Sequence, residues 1–279
     1  MVDLKVFVLA LDGLEYNLVA EWGLKGLQQT CFGKLTVPVN EKTGYPSSPE
    51  VWATFLAGKH VKAKFKKRFL DSKSLLIEQV LKTLSVLRKV VGKGFGLGRK
   101  LREFQRPPLL RFPEQIHNFL LNALRERMTA YNFPFINNDG ISFDIVHKLQ
   151  DGSPVEEVVD ELWGLYGRRK SEIWDLEFGD DVDLILAFMH FPDILQHIIW
   201  EELREVHRLY EDLDVFVSAL GEKHEEELFI VVSDHGFDFE KGVHSSYGFY
   251  SSNRPIKISR IEDFCRFLIE VVRGGELEG

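Results

Sequence analysis

Acidic and histidine side chains follow three short apolar runs of this chain, at the points where buried strands are expected to end. The side chains are Asp12, Asp193, His197, Asp234, His235 and His244. Carboxylate and imidazole groups hold Zn²⁺ and similar ions in proteins, and such ions can activate a nucleophile and stabilise a leaving oxygen. Ser48, at the start of a predicted helix, adds a hydroxyl that could attack phosphorus. Together these residues contain the parts of a two-metal phosphoryl-transfer site.

Several of these residues also have ordinary structural explanations. Asp193 and His197 are four residues apart at the start of a predicted helix, so their side chains project to one side and could share an ion. Taken alone, the pair is better explained by an acidic residue that favours a helix N-terminus and an exposed histidine. Asp12 could belong to an Asp-Gly turn, and Ser48 could be only a helix N-cap. The site is favoured because all of these residues lie at element boundaries of one chain.

The sequence Asp234-His235-Gly236 is a more specific signal. Two kinds of metal ligand directly follow an apolar run rich in β-branched residues, and the glycine allows the backbone to turn sharply. The alternative is a turn that merely ends the strand, in which aspartate and glycine are common. His244 is a weak signal by itself, and it gains weight because it lies within loop reach of Asp234 and His235.

Length and composition indicate one large domain, or one domain with an insertion. Of the 279 residues, 44% are hydrophobic and 12% are aromatic, so the chain can bury a sizeable core. Cys31 and Cys265 lie far apart without CxxC spacing, which favours free thiols in a reducing compartment. The N-terminal apolar run lacks the features of a signal peptide, and no stretch is long and apolar enough to cross a bilayer. We therefore expect a soluble cytoplasmic protein.

Strand and helix patterns alternate along the chain. Apolar runs predict strands at 5–11, 32–37, 183–188 and 228–232. Helical spacing predicts helices at 16–27, 48–56, 74–91, 114–130, 154–166, 168–174 and 261–272, and one or two helices over 192–220. This alternation favours an α/β fold with a mostly parallel central sheet flanked by helices. Ligands of such sheets bind beyond the carboxyl ends of the strands, which is where the acidic residues lie.

A strongly basic segment interrupts this pattern. Residues 59–112 contain few acidic side chains, although the whole chain has a net charge of −8. We interpret 59–138 as an inserted basic helical cap or lid, and 1–58 together with 139–279 as the catalytic core. The segment could be a solvated face that pairs with the acidic body. Alternatively, it could gather a polyanionic or lipid-linked phosphate substrate, at a membrane surface or on nucleic acid.

Five stretches together resemble the alkaline phosphatase superfamily, and most closely its type I phosphodiesterase/nucleotide pyrophosphatase branch. They are 9–14, 46–58, 175–200, 231–237 and 242–245. The Asp-x-x-Gln-His form of 193–197 and the Ser-Asp-His-Gly-Phe run at 233–237 are specific to this group. The resemblance implies an alkaline-phosphatase-like α/β core. It covers both ends of the chain but not the basic segment.

The resemblance also implies two bound divalent ions. One ion is implied at Asp12, Asp234 and His235, and the second at Asp193, His197 and His244. Zn²⁺ suits this mixture of carboxylate and imidazole ligands best, and Mn²⁺ is the second choice.

The nucleophile is implied ten residues before the glycine of a Thr-Gly pair. Ala57-Gly58 takes the place of that pair in this chain, and the count leads to Ser48, with Ser47 as the runner-up. Positive charge or hydrogen-bond donors must also bind the phosphate oxygens. Two weaker candidates for that task are Lys59 and Asn40.

The implied activity is metal-dependent hydrolysis of phosphate esters, most closely that of a phosphodiesterase or nucleotide pyrophosphatase acting through a phospho-serine. A sulfatase is disfavoured because Val51 stands where a sulfatase requires arginine. Two alternatives stay open. A phosphomutase or phosphotransferase on the same core would pass the phosphoryl group to a second hydroxyl. A metal-binding homologue could have lost turnover, since Ala57 departs from the pattern. The implied partner is a small phosphate ester or nucleotide, and no dedicated protein partner is implied.

Overall fold

A computed structural model of the chain describes residues 4–41, 43–62, 120–124 and 126–275, and elements are numbered along these residues. The strands are β1 (Val6–Leu11), β2 (Cys31–Thr36), β3 (Met128–Tyr131), β4 (Leu184–Met189), β5 (Leu228–Ser233), β6 (Phe237–Asp238), β7 (Val243–His244) and β8 (Tyr247–Ser252). The helices are α1 (Tyr16–Glu21), α2 (Lys25–Gln28), α3 (Ser48–Ala57), α4 (Leu120–Leu124), α5 (Ile141–His147), α6 (Val155–Trp174), α7 (Phe191–Ile199), α8 (Leu203–Lys223) and α9 (Asp263–Val272).

A six-stranded sheet in the order β2-β8-β5-β1-β4-β3 forms the centre of the fold. β1 pairs in parallel with β4 and β5, and β3 pairs in parallel with β4. β8 runs antiparallel to both of its neighbours, β5 and β2. Five of the six strands therefore point the same way, which confirms the predicted α/β fold with a mostly parallel sheet. β6 and β7 form a separate two-stranded ribbon.

Helices cover both faces of the sheet. Successive side chains of a strand point to opposite faces, and the central strands are almost entirely apolar, so both faces must be buried. The odd-numbered residues of β1 pack with α1, α2, α6, α7 and α8. Its even-numbered residues pack with α3, α4 and α9 on the other face. All six residues of β1 are buried. This burial explains why the strand reads as a continuous apolar run rather than as an alternating one.

The register of the central strands brings their carboxyl ends together. Leu11 at the end of β1 lies opposite Met189 at the end of β4, and Ala10 lies opposite Val232 of β5. The backbone N–H of Asp12 extends the β1–β4 ladder by donating to the carbonyl of Met189 at 3.0 Å. The residues that follow β1, β4 and β5 therefore emerge side by side at one edge of the sheet.

The predicted helix at 114–130 is wrong for part of the described range. Only 120–124 is helical there, whereas 128–131 forms β3 and pairs with β4. The backbone carbonyl of Arg127 accepts from the N–H groups of both Asp183 and Leu184, at 2.8 and 3.0 Å, and so fixes the start of this pairing. Hydrogen bonds to an open sheet edge thus override a helical pattern in the sequence. Conversely, the two helices predicted at 154–166 and 168–174 form the single helix α6.

The predicted cap at 59–138 falls largely outside the described residues, since 63–119 and 125 are not described. β3 belongs to that range, yet it pairs within the central sheet. The division into a core and an inserted basic cap stays a prediction. Within the described residues, no helix combines the length and the apolar character needed to cross a membrane. Cys31, which is half-buried, and Cys265, which is buried, are free thiols.

Replacing Leu9 by alanine should destabilise the fold, because this fully buried residue lies in the middle of the central strand. The cavity and the lost apolar contacts should lower the free energy of unfolding by about 2–5 kcal/mol. The matched control is Leu203→Ala, at a position that is 59% exposed, where a change within about 0.5 kcal/mol is expected. Urea denaturation followed by circular dichroism measures both. Similar losses in the two variants would contradict this account of the core.

Candidate metal centre and nucleophile

Asp12, Asp234 and His235 form a first cluster at the carboxyl ends of β1 and β5. His235 Nε2 lies 3.4 Å from Asp12 Oδ1 and 3.4 Å from Asp234 Oδ2. The hydroxyl of Ser48 is 3.0 Å from the same nitrogen and 3.3 Å from Asp12 Oδ1. Tetrahedral ligands about 2 Å from a Zn²⁺ ion are separated from each other by about 3.3 Å. These contacts therefore have the separations of neighbouring ligands around a single ion.

Asp193, His197 and His244 form a second cluster. The contact between Asp193 Oδ1 and His197 Nε2 is 3.3 Å, that between the two histidine Nε2 atoms is 2.9 Å, and that between His244 Nε2 and Asp193 Oδ1 is 3.7 Å. Asp193 and His197 are one turn apart on α7, as their spacing predicted. His244 comes from β7, nearly fifty residues further along the chain. The three atoms lie within 3.7 Å of one another, as they would around a second ion.

Hydrogen bonds to backbone carbonyls orient two of the histidine rings. His235 Nδ1 lies 3.0 Å from the carbonyl of Gly236, and His244 Nδ1 lies 3.0 Å from the carbonyl of Pro46. A carbonyl can only accept, so Nδ1 must carry the proton in each contact. When these imidazoles are neutral, Nε2 is left with its lone pair directed into the cluster. This is the arrangement in which histidine ligates a metal.

Two buried carboxylate oxygens give a direct test of whether these residues fit a cation. Asp193 Oδ1 and Asp234 Oδ2 are fully buried and have no hydrogen-bond partner among the described residues. Leaving a buried acceptor unsatisfied costs about 1–3 kcal/mol, and more when it is charged. Both atoms face histidine nitrogens within their own cluster. The donor set and its unsatisfied oxygens therefore fit a divalent ion in each cluster.

The electrostatics of the first cluster lead to the same conclusion. Burial, together with Asp12 beside it, raises the pKa of Asp234 well above its usual range. Burial opposes a charge on His235, but the adjacent Asp234 raises the pKa of that imidazole to about 10. Burial by itself would raise the pKa of Asp12, but the neighbouring His190 and His235 lower it below its usual value. The carboxylates thus need positive charge close by, and a bound ion would supply it while displacing protons.

The two clusters are in direct contact with each other. The rings of His235 and His244 stack with their centroids 3.7 Å apart and an interplanar angle of 12°. One carboxylate oxygen of Asp193 and one ring nitrogen from each of these histidines also lie within 4.8 Å of one another. Burial and the neighbouring His235 lower the pKa of His244 to about 4, so its ring is neutral near pH 7. The structure therefore brings all six predicted ligands into one continuous centre.

The two candidate nucleophiles differ in position. Ser48 was predicted to be the N-cap of α3, but Ser47 is the N-cap and Ser48 is the first helical residue. The Ser47 side chain makes no capping hydrogen bond, and its backbone carbonyl accepts from the N–H groups of Glu50 and Val51. The half-buried Ser48 is the serine whose hydroxyl contacts the first cluster. Geometry therefore favours Ser48 over Ser47.

The two weaker candidates for binding phosphate do not join the clusters in the same way. Lys59 is exposed and follows the C-terminal end of α3, whereas Ser48 begins that helix. The helix rise separates the two residues by about 15 Å. Asn40 is buried, and its amide donates to the carboxylate of Glu50 at 2.7 Å. This bond ties the loop before α3 to the helix, so Asn40 has a structural task.

His190 was missed from the sequence. It directly follows β4, and its Nε2 lies 3.3 Å from Asp12 Oδ2, the oxygen opposite the one that faces Ser48. Its Nδ1 lies 3.1 Å from the hydroxyl of Ser142 at the start of α5. One oxygen of Asp12, one of Asp193 and one nitrogen of His190 lie within 4.8 Å of one another. The available signal was its position after an apolar strand, the same signal that identified Asp234.

No protein-family model matches the chain, and no curated protein matches it. Solved structures do match. Murine ectonucleotide pyrophosphatase/phosphodiesterase 5 matches with 14% identity and a TM-score of 0.44 over 83% of this chain, which spans 57% of the murine protein. Alkaline phosphatase from the Antarctic bacterium TAB5 matches with 12% identity and a TM-score of 0.45, over 98% of this chain and 100% of that one. The PH0037 protein from Pyrococcus horikoshii matches with 11% identity and a TM-score of 0.47, over 100% of both chains.

Purified protein saturated with Zn²⁺ and then dialysed should retain about two ions per chain. His244→Ala should reduce this to about one, because the second cluster loses one of its three ligands. The control is His207→Ala, which removes a half-buried histidine that pairs with Glu211 on α8. Elemental analysis by mass spectrometry measures all three proteins. Retention of two ions by the His244 variant, or of none by the unmodified chain, would contradict the assignment.

Proposed function

We propose that this chain is a metal-dependent phosphohydrolase that uses Ser48 as its nucleophile. The observation that carries the proposal is the position of the Ser48 hydroxyl, 3.0 Å from His235 Nε2 and 3.3 Å from Asp12 Oδ1. A second cluster of ligands stacks directly against the first. A half-buried hydroxyl between a carboxylate and an imidazole, beside two candidate cation sites, is suited to displacement at phosphorus.

The residues proposed to hold the two ions are those of the two clusters. Asp12, Asp234 and His235 would hold one ion, and Asp193, His197 and His244 would hold the other. When bound, the ions would supply positive charge that favours the deprotonated hydroxyl and offsets charge on the leaving oxygen. Zn²⁺ is the first choice for this set of ligands, and Mn²⁺ is the second.

Ser48 would act in two steps. Its oxygen attacks phosphorus in line with the leaving oxygen, and a phospho-serine forms as the ester bond breaks. The hydroxyl donates to Asp12 Oδ1, which gives the proton a path away from the oxygen. Water then attacks the phospho-serine from the side that the leaving group vacated, and the serine oxygen recovers a proton as its bond to phosphorus breaks. His190 supports the opposite oxygen of Asp12 and so helps to keep that carboxylate in place.

The proposed substrates are phosphate diesters and nucleotides. This choice rests on the resemblance of the 193–197 and 233–237 motifs to the type I phosphodiesterase/nucleotide pyrophosphatase branch. The basic residues that would gather a polyanionic or lipid-linked substrate fall mostly at 63–112, outside the described residues. That role for the segment stays a proposal.

Replacing Ser48 by alanine should reduce the hydrolysis of bis(p-nitrophenyl) phosphate by at least about a hundredfold, because the attacking oxygen is lost. The bound ions should remain, since each cluster keeps its three carboxylate and imidazole ligands. Ser47→Ala, one residue away, should retain most of the activity. Initial rates with Zn²⁺ or Mn²⁺, together with elemental analysis, test both variants. Activity that survives in the Ser48 variant and is lost in the Ser47 variant would transfer the role to Ser47.

Product analysis separates hydrolysis from transfer to a second hydroxyl. With the diester substrate and added glycerol, a hydrolase should release nearly all of the phosphoryl group to water. Phosphorus NMR of the products measures this division. Predominant formation of glycerol phosphate esters would instead indicate a phosphotransferase that works through the same serine.

A further inference from the structure

Glu15 is a buried carboxylate that belongs to neither cluster, yet it lies three residues after Asp12 and is only 3% exposed. It accepts four hydrogen bonds. Its Oε1 accepts from the backbone N–H of Asn17 at 2.8 Å and from the hydroxyl of Tyr247 at 2.6 Å. Its Oε2 accepts from the backbone N–H of Phe237 at 2.9 Å and from the hydroxyl of Ser245 at 2.7 Å. Every lone pair of the carboxylate is thus used.

Three of these four donors lie on the segment 237–247, which carries His244. Phe237 begins the β6–β7 ribbon, Ser245 directly follows His244, and Tyr247 begins β8. Glu15 itself lies in the loop that follows β1 and begins with Asp12. A single side chain therefore connects the loop that bears Asp12 to both ends of the ribbon that bears His244.

The pattern of donors explains why this residue is a carboxylate and not an amide. Each oxygen accepts one backbone N–H and one hydroxyl. A hydroxyl can rotate and accept instead, but a backbone N–H can only donate. A glutamine would direct its NH₂ group at one of the two N–H groups, whichever way its amide was turned. The site therefore requires two acceptor oxygens.

Gly236 makes room for this carboxylate. A Cβ atom at position 236 would overlap Glu15 Oε2, so only glycine allows the two to lie against each other. This glycine joins His235 to the ribbon, and its N–H and carbonyl bond to Tyr247 and Ser245 at 2.9 Å each. The close approach explains why glycine follows the Asp-His pair.

A second branch of the same network reaches α7. The backbone N–H of Glu15 donates to the hydroxyl of Tyr210, which donates to Gln196 on α7, at 2.8 Å each. The Gln196 amide in turn donates to the carbonyl of Gly13 at 2.8 Å. Gln196 is fully buried and directly precedes His197. The network thus connects three segments: the loop that bears Asp12, the α7 helix that bears Asp193 and His197, and the ribbon that bears His244.

His235 is held by bonds that do not involve Glu15. Its carbonyl accepts from the Ser233 hydroxyl at 2.7 Å, and that hydroxyl accepts from the N–H of Leu14 at 2.9 Å. His244, in contrast, is flanked by Ser245, whose hydroxyl donates to Glu15. Loss of the carboxylate should therefore displace His244 more than His235.

We propose that Glu15 is the positioning residue that fixes His244 in the second cluster. The claim about ion binding rests on the proposed function, in which that cluster holds an ion. The expected consequence is selective: the second cluster loses affinity when the carboxylate is changed, while the first cluster is largely preserved.

Glu15→Gln should weaken the binding of one Zn²⁺ ion by about 10–100-fold, the usual cost of losing a partner that orients a ligand. The ion of the first cluster should bind within about threefold of its original affinity. The matched control is Glu240→Gln, which makes the same chemical change at an exposed position of the same ribbon and should alter neither affinity. Competition titrations with a chromophoric chelator measure both ions, and loss of tetrahedral Co²⁺ absorption in the variant reports on the weakened site.

Hydrogen exchange measured by mass spectrometry on the metal-free protein gives a readout that needs neither ions nor activity. Glu15→Gln should accelerate exchange of the 236–247 segment at least about tenfold, because the N–H of Phe237 loses its acceptor. The α8 helix of this variant should exchange as fast as in the unmodified chain. In Glu240→Gln, neither the 236–247 segment nor α8 should change its exchange rate. Unchanged exchange of 236–247 in the Glu15 variant would overturn the proposal. Equal weakening of both ion sites would also overturn it.

Failure of the proposed function and failure of the Glu15 proposal give different results. If the unmodified chain binds no ion, the proposed function fails, whereas the positioning role of Glu15 still stands or falls on hydrogen exchange. If Glu15→Gln does not fold, Ser245→Ala removes one donor to the same oxygen and leaves the carboxylate charged. That variant should show a smaller acceleration of the same segment, and no acceleration would overturn the proposal.

Discussion

The parallel register of β1 with β4 and β5 is the constraint on which the candidate site depends. Leu11 lies opposite Met189, and Ala10 lies opposite Val232, so three strands end at one level. Asp12, His190 and Asp234 are the first residues that leave the sheet there. A shift of one strand by a single residue would turn the polar side chains toward the opposite face and remove the cluster.

This arrangement concentrates charge in a part of the protein from which water is excluded. Asp12, Asp193 and Asp234 are each at most 6% exposed, and burial of ionised carboxylates is costly unless positive charge lies beside them. The raised pKa values of Asp234 and His235 are the signs of that cost. In a purely structural network of ion pairs, we would expect each buried carboxylate oxygen to accept a hydrogen bond from the protein. Asp193 and Asp234 instead each retain one oxygen without a hydrogen-bond partner among the described residues. That combination distinguishes a candidate cation centre from an ordinary buried network.

Much of this could be predicted from the sequence, for reasons that also explain what was missed. β1, β4 and β5 are buried on both faces, so their apolar runs identified them and the candidate ligands after them. The edge strand β3 has only mixed polarity, and its hydrogen bonds to β4 decide its conformation. His190 was missed because β4 extends one residue further than predicted. Three of the four donors to the Glu15 carboxylate are more than two hundred residues away in the chain, and local patterns hold no information about such contacts.

Ala57, where the sequence departs from the pattern that it resembles, lies far from the candidate nucleophile Ser48. It ends α3, nine residues after Ser48, which corresponds to about 14 Å along the helix axis. Gly58 follows in the left-handed conformation with φ of 64° and closes the helix, where a Cβ would come within 3.1 Å of Cys265. Ala57 is buried in a small cluster with Ala53 and Val61, against which Phe135 packs. Ala57 therefore belongs to a packing cluster at the end of α3, remote from the candidate nucleophile Ser48 at the start of the same helix.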